Sequence, residues 1–361
     1  MDNYKFADAH FGVLLPFVQD ENITDTTWNG KALWVDDINL GRYKVDVVLT
    51  EAFVNEFSRH VANYTKQLFN PSSPLLEGQV GLLRISIVHS SNAHTGTTIA
   101  IRKTSTECRL NKESCLRDGF CSEEVWNFLP KIIRSGISCI SGGRPGVGKT
   151  EFLKMLSTYI PPAERAIVME DSPEFHYSLI NPESDCTEWR IDNVFTHEIA
   201  LKASLRQRPD WNILAEARGR ETQYLMENFS SGIKVLTSTH LDDEKDLITR
   251  LENMIGDPIA STRIKNEIHL RGLALFVIRR RITDEGIRRY IAQGCFYTQD
   301  EEGRPIRTPF IKDGQLIQKE LPASLMRKFE AAGFKDPFDN VPVETTTSAT
   351  KNDVAGETGD M

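Results

Sequence analysis

The chain has 361 residues, a length that predicts two domains. Of these residues 40% are hydrophobic and 26% charged, proportions typical of a soluble globular protein. Its 51 acidic residues outnumber 43 basic ones, and the formal net charge of −8 argues against nucleic acid as the main partner. No run of eighteen apolar residues predicts a membrane span, and the six irregularly spaced cysteines match no paired zinc-ligand pattern, so we expect free thiols.

Residues 1–105 are predicted to form a small N-terminal α+β domain. The first 27 residues carry weak signals, and we expect them to be partly loose. The rest of this domain alternates between apolar, β-branched stretches and one amphipathic stretch that ends at an Asn-Pro-Ser-Ser-Pro break. Four strands and one helix are predicted: strands at 31–35, 43–49, 81–88 and 97–102, and a helix at 51–69.

A polar linker, 106–122, leads to the second predicted domain, 123–340. Strands are predicted at 137–140, 165–169, 211–215 and 233–237, and helices at 123–135, 152–159, 197–207, 221–229 and 242–254. Alternation of this kind predicts a mostly parallel sheet with helices on both faces. A hairpin over 273–292, an extended pair in 300–316 and a helix at 323–332 are predicted to follow. The polar tail, 341–361, is expected to be disordered.

A phosphate-loop motif lies between the strand at 137–140 and the helix that follows it. Residues 143–150 read Gly-Arg-Pro-Gly-Val-Gly-Lys-Thr and match the pattern G-x-x-x-x-G-K-[ST]. Glycines let backbone N–H groups surround phosphate oxygens, and the helix adds its positive N-terminal end. We expect ATP and Mg²⁺ to bind here, with Lys149 on the β- and γ-phosphates and Thr150 on the metal. The predicted nucleotide-binding residues are Gly143, Arg144, Pro145, Gly146, Val147, Gly148, Lys149, Thr150 and Glu151.

Polar side chains follow three of the later predicted strands, at Glu170-Asp171, Glu216 and Thr239-His240. In parallel-sheet nucleotide-binding folds, ligands lie beyond the carboxyl ends of the strands. Each of these residues alone could be a solvated cap. All three at strand ends of one domain favour a site that holds Mg²⁺, orients water and offsets charge on the γ-phosphate.

Three segments around these strand ends resemble motifs of the type II/type IV secretion ATPases. Residues 165–174 resemble the acidic box of that family, 205–221 its Walker B segment and 231–240 its histidine box. The resemblance reaches back through 98–103 and covers roughly residues 30–295. It is greatest for the branch that powers conjugative or type IV transfer and tight-adherence pili.

The resemblance implies an α/β, RecA-like P-loop NTPase domain preceded by a smaller N-terminal, PAS-like domain. It also implies an ATP-hydrolysing homo-hexamer at the cytoplasmic face of a membrane, where it works with inner-membrane components of a secretion, conjugation or pilus machine. Membrane association would be peripheral and through partners, and no strong direct binding of nucleic acid is expected. The sequence does not tell whether the load is DNA, protein or pilin.

The resemblance assigns roles to residues outside the phosphate loop. Glu170 would orient or activate the attacking water and Glu216 would act at the Mg²⁺ side, although the two could partly exchange roles. His240 would sense the γ-phosphate or couple subunits, and Arg102 resembles the arginine that reaches the phosphates from the N-terminal domain. Weaker candidates are Arg84 and Arg206.

Some positions depart from the pattern of that family. Relatives usually have Thr-Gly-Ser at 145–147, a second Thr at Glu151, a Gly at Ala215 and His-Gly at 233–234. We expect binding to survive and turnover to be slower. Two other classes of function stay open at this point: a RecA- or helicase-type nucleic-acid motor, and a nucleotide-gated scaffold that barely hydrolyses.

Overall fold

The structure is a computed structural model that describes residues 6–284 and 286–345. The chain divides into two compact units: residues 1–105 with 282–287, and residues 106–281 with 288–361. Each unit contains its own β-sheet.

The first unit begins with structure that the sequence did not predict. A 3₁₀ helix (Asp8–Leu14) continues into α1 (Leu15–Gln19), and β1 follows (Ile23–Trp28). Phe11 and Leu14 are buried in the core of this unit, which holds the helical segment in place. The expectation that residues 1–27 are partly loose is therefore wrong from residue 8 onward, and residues 1–5 lie outside the described part. The remaining elements are β2 (Leu33–Asp37), β3 (Gly41–Val45), α2 (Glu51–Thr65), β4 (Leu75–Val80), β5 (Leu83–Val88) and β6 (Thr98–Lys103).

These six strands form one antiparallel sheet in the order β3-β2-β1-β6-β5-β4. Thr50 caps the N-terminus of helix α2: its hydroxyl accepts from the N–H of Phe53, and the helix buries Phe57 and Val61 in the core of the unit. Side chains alternate along β6, so Ile101 is buried while its neighbour Arg102 is exposed. The α+β prediction for this region is confirmed.

The second unit is built on a nine-stranded sheet in the order β15-β14-β13-β12-β7-β11-β10-β8-β9. Strands β12, β7, β11, β10, β8 and β9 pair in parallel, whereas β13, β14 and β15 pair antiparallel. Its strands are β7 (Ser138–Gly142), β8 (Ala166–Glu170), β9 (Cys186–Arg190), β10 (Trp211–Leu214), β11 (Lys234–Thr239), β12 (Leu273–Thr283), β13 (Gly286–Gln299), β14 (Pro305–Lys312) and β15 (Gln315–Leu316). Its helices are α3 (Lys112–Arg117), α4 (Glu123–Arg134), α5 (Lys149–Ser157), α6 (Tyr177–Ile180), α7 (His197–Ser204), α8 (Glu221–Ser230), α9 (Leu247–Ile255), α10 (Pro258–Arg271) and α11 (Ala323–Ala331), with 3₁₀ turns at Leu205–Gln207 and Glu244–Asp246.

Both faces of the parallel strands are covered by helices. Strand β8 is buried along its whole length, and its alternate residues enter two different hydrophobic clusters. Ala166 and Val168 join the cluster that contains residues of α4 and α5, and Ile167 and Met169 join the cluster of α7, α8 and α9. The predicted parallel sheet with helices on both faces is confirmed.

Four elements of this unit were not predicted, each for a visible reason. Helix α6 has only four residues, too few to show an apolar period. Strand β9 lies at the edge of the sheet and is largely polar, so its sequence lacks a buried apolar run. Helix α10 buries only four residues, two of them Ser261 and His269, so its apolar period is weak. Helix α3 interrupts the predicted polar linker and is anchored by the buried Cys115.

The chain after α11 packs back onto α4. The ammonium of Lys131, which is buried, bonds to the backbone oxygen and carboxylate of Asp339, and Phe338 stacks on Phe128 with ring centroids 4.6 Å apart. Arg134 donates to the carbonyl of Glu344 over 3.2 Å and Val343 packs against the hydrophobic core, so part of the predicted disordered tail makes contacts. Residues 346–361 of that tail lie outside the described residues.

All six cysteines are free thiols, as expected. Across the described ranges, no helix is both long and apolar enough to cross a membrane.

Candidate active site

The phosphate-loop motif forms a tight turn between β7 and α5. Gly143, Gly146 and Gly148 have φ angles of 148°, 73° and 94°, which residues with a side chain rarely adopt. A Cβ added at Gly143 would also lie 2.5 Å from the carbonyl oxygen of Ile278. The three glycines are therefore required by the backbone, which leads directly into the N-terminus of α5 at Lys149.

The side chain of Lys149 is buried inside this turn. Its Nζ donates to the carbonyl oxygens of Gly143 (3.0 Å) and Arg144 (3.2 Å). Burial lowers the pKa of Lys149, and Arg218 lowers it further, whereas the carboxylate of Glu216 opposes both effects. A partly desolvated ammonium within a curled backbone is the arrangement that would pair well with a phosphate.

His240, which follows β11, connects Lys149 to Glu216. Its Nδ1 lies 3.3 Å from Nζ of Lys149 and 3.3 Å from the carbonyl oxygen of Gly143. The tautomer with its proton on Nε2 lets Nδ1 accept from the ammonium of Lys149, whereas the other tautomer lets Nδ1 donate to the carbonyl of Gly143. Nε2 lies 2.9 Å from Oε1 of Glu216. That oxygen is buried and has no hydrogen-bond donor among the described residues, so the close approach to Nε2 is an ion-pair distance without hydrogen-bond alignment.

The other oxygen of Glu216 is held by Arg218. Nη2 of Arg218 donates to Oε2 of Glu216 over 2.8 Å, and Nη1 lies 4.0 Å from Oδ2 of Asp171, the residue after β8. The hydrogen bond to Glu216 is the main reason that the pKa of Arg218 is raised. Lys149, His240, Glu216 and Arg218 thus form a continuous polar network from the phosphate loop to the carboxyl end of β10.

Glu170, the last residue of β8, has a different environment. Its side chain accepts from the backbone N–H groups of Phe175 (3.0 Å) and Glu174 (3.3 Å), and the residue is 7% exposed. Burial raises the pKa of Glu170 to about 8, although the two amide donors favour the ionised form. At neutral pH this carboxyl group is therefore mostly protonated, and its pKa is close to the pH at which a general base works best.

Thr150, Glu170 and Glu216 line one cleft at the carboxyl ends of β7, β8 and β10. Of the predicted nucleotide-binding residues 143–151, Thr150 alone lines it, and the predicted catalytic residue His240 does not line it either. Arg218 and His197 also line the cleft, although neither was predicted from the sequence. Arg218 lies within the segment that resembles a Walker B motif. This position was the only feature of the sequence that could have indicated a role for it. The polar sequence around α7 offered no such feature for His197, whose pKa is lowered by burial.

The side chains of the cleft suit Mg²⁺, which takes few ligands from the protein, better than a metal ion whose ligands all come from the protein. Hydroxyl and carboxylate oxygens are the ligands that this ion prefers, and the buried Oε1 of Glu216 lacks a donor. In the described part of the chain, no group of three or more His, Cys, Asp or Glu side chains could hold a metal ion. Magnesium usually keeps several waters and phosphate oxygens as ligands, so a two-residue contribution from Thr150 and Glu216 suits it.

Two predicted nucleotide-binding residues have side-chain partners of their own. Arg144 forms an exposed ion pair with Asp242, with Nε 3.1 Å from Oδ1. The carboxylate of Glu151 accepts from Lys154 Nζ over 3.1 Å. Relatives usually have a threonine hydroxyl at position 151, where this chain has the carboxylate of Glu151. The ammonium of Lys154, which is buried, offsets the negative charge of that carboxylate.

Arg102 lies in the first unit, on β6. Its Nε donates to Oδ1 of Asp25 over 2.9 Å, and its side chain is 55% exposed. Asp25 and Arg84 are its register partners on β1 and β5. The guanidinium is therefore accessible and is kept extended across the sheet by a carboxylate.

Comparison with known protein families gives a match that covers more than half of the chain. The model of the family described as "Type II/IV secretion system protein" matches residues 77–295. An uncharacterised protein of Bacillus anthracis is 28% identical over 299 residues, which are 82% of this chain and 65% of that protein. The chain spans about half the length (52% and 53%) of two uncharacterised proteins of Methanocaldococcus jannaschii.

A relative with a functional name is the type IV secretion system protein PtlH of Bordetella pertussis, 27% identical over 64% of this chain and 76% of PtlH. Among solved structures, the ATPase DotB of Yersinia pseudotuberculosis has a TM-score of 0.59 at 16% identity and covers 82% of this chain and 81% of DotB. A structural match at so low an identity supports the fold alone. This match confirms the predicted RecA-like fold.

Proposed function

The chain belongs to the type II/IV secretion system protein family, and on that premise we propose that it is a Mg²⁺-dependent ATPase that drives a secretion, conjugation or pilus machine. The observation that carries the proposal is the single cleft lined by Thr150, Glu170 and Glu216, next to the buried ammonium of Lys149. Phosphoryl transfer needs little else from a protein than positioned cations, a metal site and an oriented water.

In this proposal each residue has one task. The backbone N–H groups of the phosphate loop and Lys149 bind the β- and γ-phosphates. Thr150 and Glu216 would hold Mg²⁺, which when bound neutralises phosphate charge. Glu170 orients the attacking water and accepts its proton once its own proton has left. His240 lies 3.3 Å from Lys149 and 2.9 Å from Glu216, a position suited to sensing the γ-phosphate.

We further propose a homo-hexamer that acts at the cytoplasmic face of a membrane through inner-membrane partners. PtlH and the Bartonella quintana relative VirB11 are both named as proteins of type IV secretion systems, which supports this class of machine. Arg102 takes part in hydrolysis in this scheme, since an arginine from a mobile domain or a neighbouring subunit commonly offsets charge on the γ-phosphate. ATP should then favour the closed, ring-forming state.

Phosphate release by the purified full chain tests the proposed reaction. We expect turnover that requires Mg²⁺, is abolished by EDTA and does not change when DNA is added. Stimulation by DNA with a steep dependence on salt would instead support a nucleic-acid motor. Nucleotide binding without turnover would support a scaffold. Light scattering with a non-hydrolysable ATP analogue and Mg²⁺ should show hexamers, and a monomer at every concentration would contradict the ring.

The role of Arg102 has a matched control in the same unit. Arg102→Ala should still bind nucleotide but hydrolyse it poorly. Arg42 pairs with Asp36 over 3.1 Å and is 52% exposed, so Arg42→Ala removes a similar exposed ion pair. Exposed pairs of this kind contribute little to stability, about 0–1 kcal/mol, so both variants should fold. Equal turnover in the two variants would remove Arg102 from the mechanism.

A further inference from the structure

We propose that Arg218 is a positioning residue: it holds one oxygen of Glu216 so that the other stays available to Mg²⁺. This inference rests on the proposed ATPase function and adds a residue that the motifs did not assign.

The two oxygens of Glu216 are in unequal surroundings. Oε2 accepts a hydrogen bond of 2.8 Å from Nη2 of Arg218. Oε1 is buried and lies 2.9 Å from Nε2 of His240, but it receives no aligned hydrogen bond from the described residues. A buried carboxylate oxygen without a donor is costly unless a ligand pairs with it, so this atom is the one that a bound metal would satisfy.

Arg218 is itself fixed at both ends. Its backbone N–H donates to Oε1 of Glu221 over 2.6 Å, and the same oxygen accepts from the N–H of Gly219 over 2.7 Å. Its guanidinium reaches back to Glu216 and lies 4.0 Å from Asp171. Glu221 thus shapes the connection between β10 and α8, and this connection delivers the guanidinium to the carboxylate.

Such a hold has a known physical consequence. Carboxylates that ligate metals are usually hydrogen-bonded by a second residue, and loss of that partner costs about 10- to 100-fold in metal affinity or activity. Arginine stays charged at any working pH, so its hold on Glu216 does not depend on the protonation of Arg218. The opposing effect is repulsion between the guanidinium and the metal. If repulsion dominated, removal of Arg218 would strengthen Mg²⁺ binding, so the sign of the change distinguishes the two effects.

The test is the Mg²⁺ affinity of the full chain bound to a fluorescent, non-hydrolysable ATP analogue. Arg218→Gln should weaken Mg²⁺ binding by about 10- to 100-fold and leave nucleotide affinity in EDTA unchanged. Arg304→Gln is the control, because Arg304 is 71% exposed against 61% for Arg218 and also contacts two carboxylates, Asp300 and Glu302. The control should keep the wild-type Mg²⁺ affinity.

A double-mutant cycle shows whether Arg218 acts through Glu216. In a Glu216→Gln background, Arg218→Gln should cause no further loss of Mg²⁺ affinity. The proposal would be overturned if Arg218→Gln alone left Mg²⁺ binding unchanged or made it tighter. It would also be overturned if nucleotide affinity in EDTA fell by the same factor, or if the losses of Mg²⁺ affinity in the cycle were additive. If Arg218→Gln does not fold, Arg218→Lys decides: an affinity between those of wild type and Glu216→Gln supports the proposal, and wild-type affinity overturns it. A wild-type chain that binds no nucleotide refutes the ATPase function itself.

Discussion

Glu170 and Glu216 lie at the ends of two neighbouring parallel strands, β8 and β10, and line the same cleft, yet their environments are opposite. Glu170 is buried and, within residues 6–284 and 286–345, accepts only from the backbone N–H groups of Glu174 and Phe175. Glu216 lies between the guanidinium of Arg218 and the imidazole of His240. Different environments give chemically identical side chains different tasks.

The sequence left the roles of these two glutamates partly exchangeable. Their environments favour one division: burial gives Glu170 a raised pKa suited to accepting a proton, and cationic neighbours make Glu216 the better metal-side carboxylate.

The largest effect is expected for Lys149→Ala, because without bound ATP neither glutamate has a substrate to act on. Without its ammonium, the phosphate loop loses a charge-assisted partner for the β- and γ-phosphates, so hydrolysis should be abolished and ATP binding sharply weakened. Lys319, an exposed lysine that pairs with Glu124 over 2.8 Å, provides the control Lys319→Ala. Near-normal phosphate release by Lys149→Ala would invalidate the whole site.

Glu170→Gln should reduce hydrolysis by about a hundredfold, the usual scale for loss of a positioned base, while nucleotide and Mg²⁺ still bind. A hundredfold corresponds to about 2.7 kcal/mol in the activation barrier. Glu164→Gln, at the other end of β8, is a suitable control because Glu164 bonds to the indole of Trp211 away from the cleft. Full activity in Glu170→Gln together with its loss in Glu216→Gln would reverse the assignment.

The pH dependence separates the two glutamates without a mutation. If hydrolysis needs ionised Glu170, kcat/KM should rise with pH and level off above an apparent pKa of about 8, because kcat/KM reports groups of the free enzyme. Any activity that remains in Glu170→Gln should lack this rise. A profile already flat between pH 6 and 9 would contradict a base with a raised pKa.

The last effect is on stability. The pKa of Glu170 is about 8 in the folded chain against an ordinary value of 4.5, so between these values the folded state binds more protons than the unfolded state. The free energy of unfolding should therefore decrease as pH rises from about 4.5 to about 8. Thermal melts of wild type and Glu170→Gln across this range should show a shallower decrease in the variant. Parallel curves would mean that burial of Glu170 costs little.

Elements with a strong local pattern were predicted correctly. The buried strands of the parallel sheet and the amphipathic helices α2 and α4 repeat apolar residues at the period of their structure. The order of motifs along the chain also indicated which strand ends would meet. Edge strand β9 and helix α10 were missed because β9 is largely polar and α10 buries only four residues, so neither shows a clear apolar period.

The sequence by itself determined the phosphate loop, because three glycines at positive φ and the lysine at the start of α5 are local requirements of one short turn. Only the tertiary structure decided how the side chains around the loop are paired. Lys149 meets His240 across 91 positions of the chain. The raised pKa of Glu170 depends on burial by segments that fold over it, and the hold of Arg218 on Glu216 depends on how the connection after β10 turns. Burial and alignment of charges arise when distant segments pack together, so no local pattern encodes them.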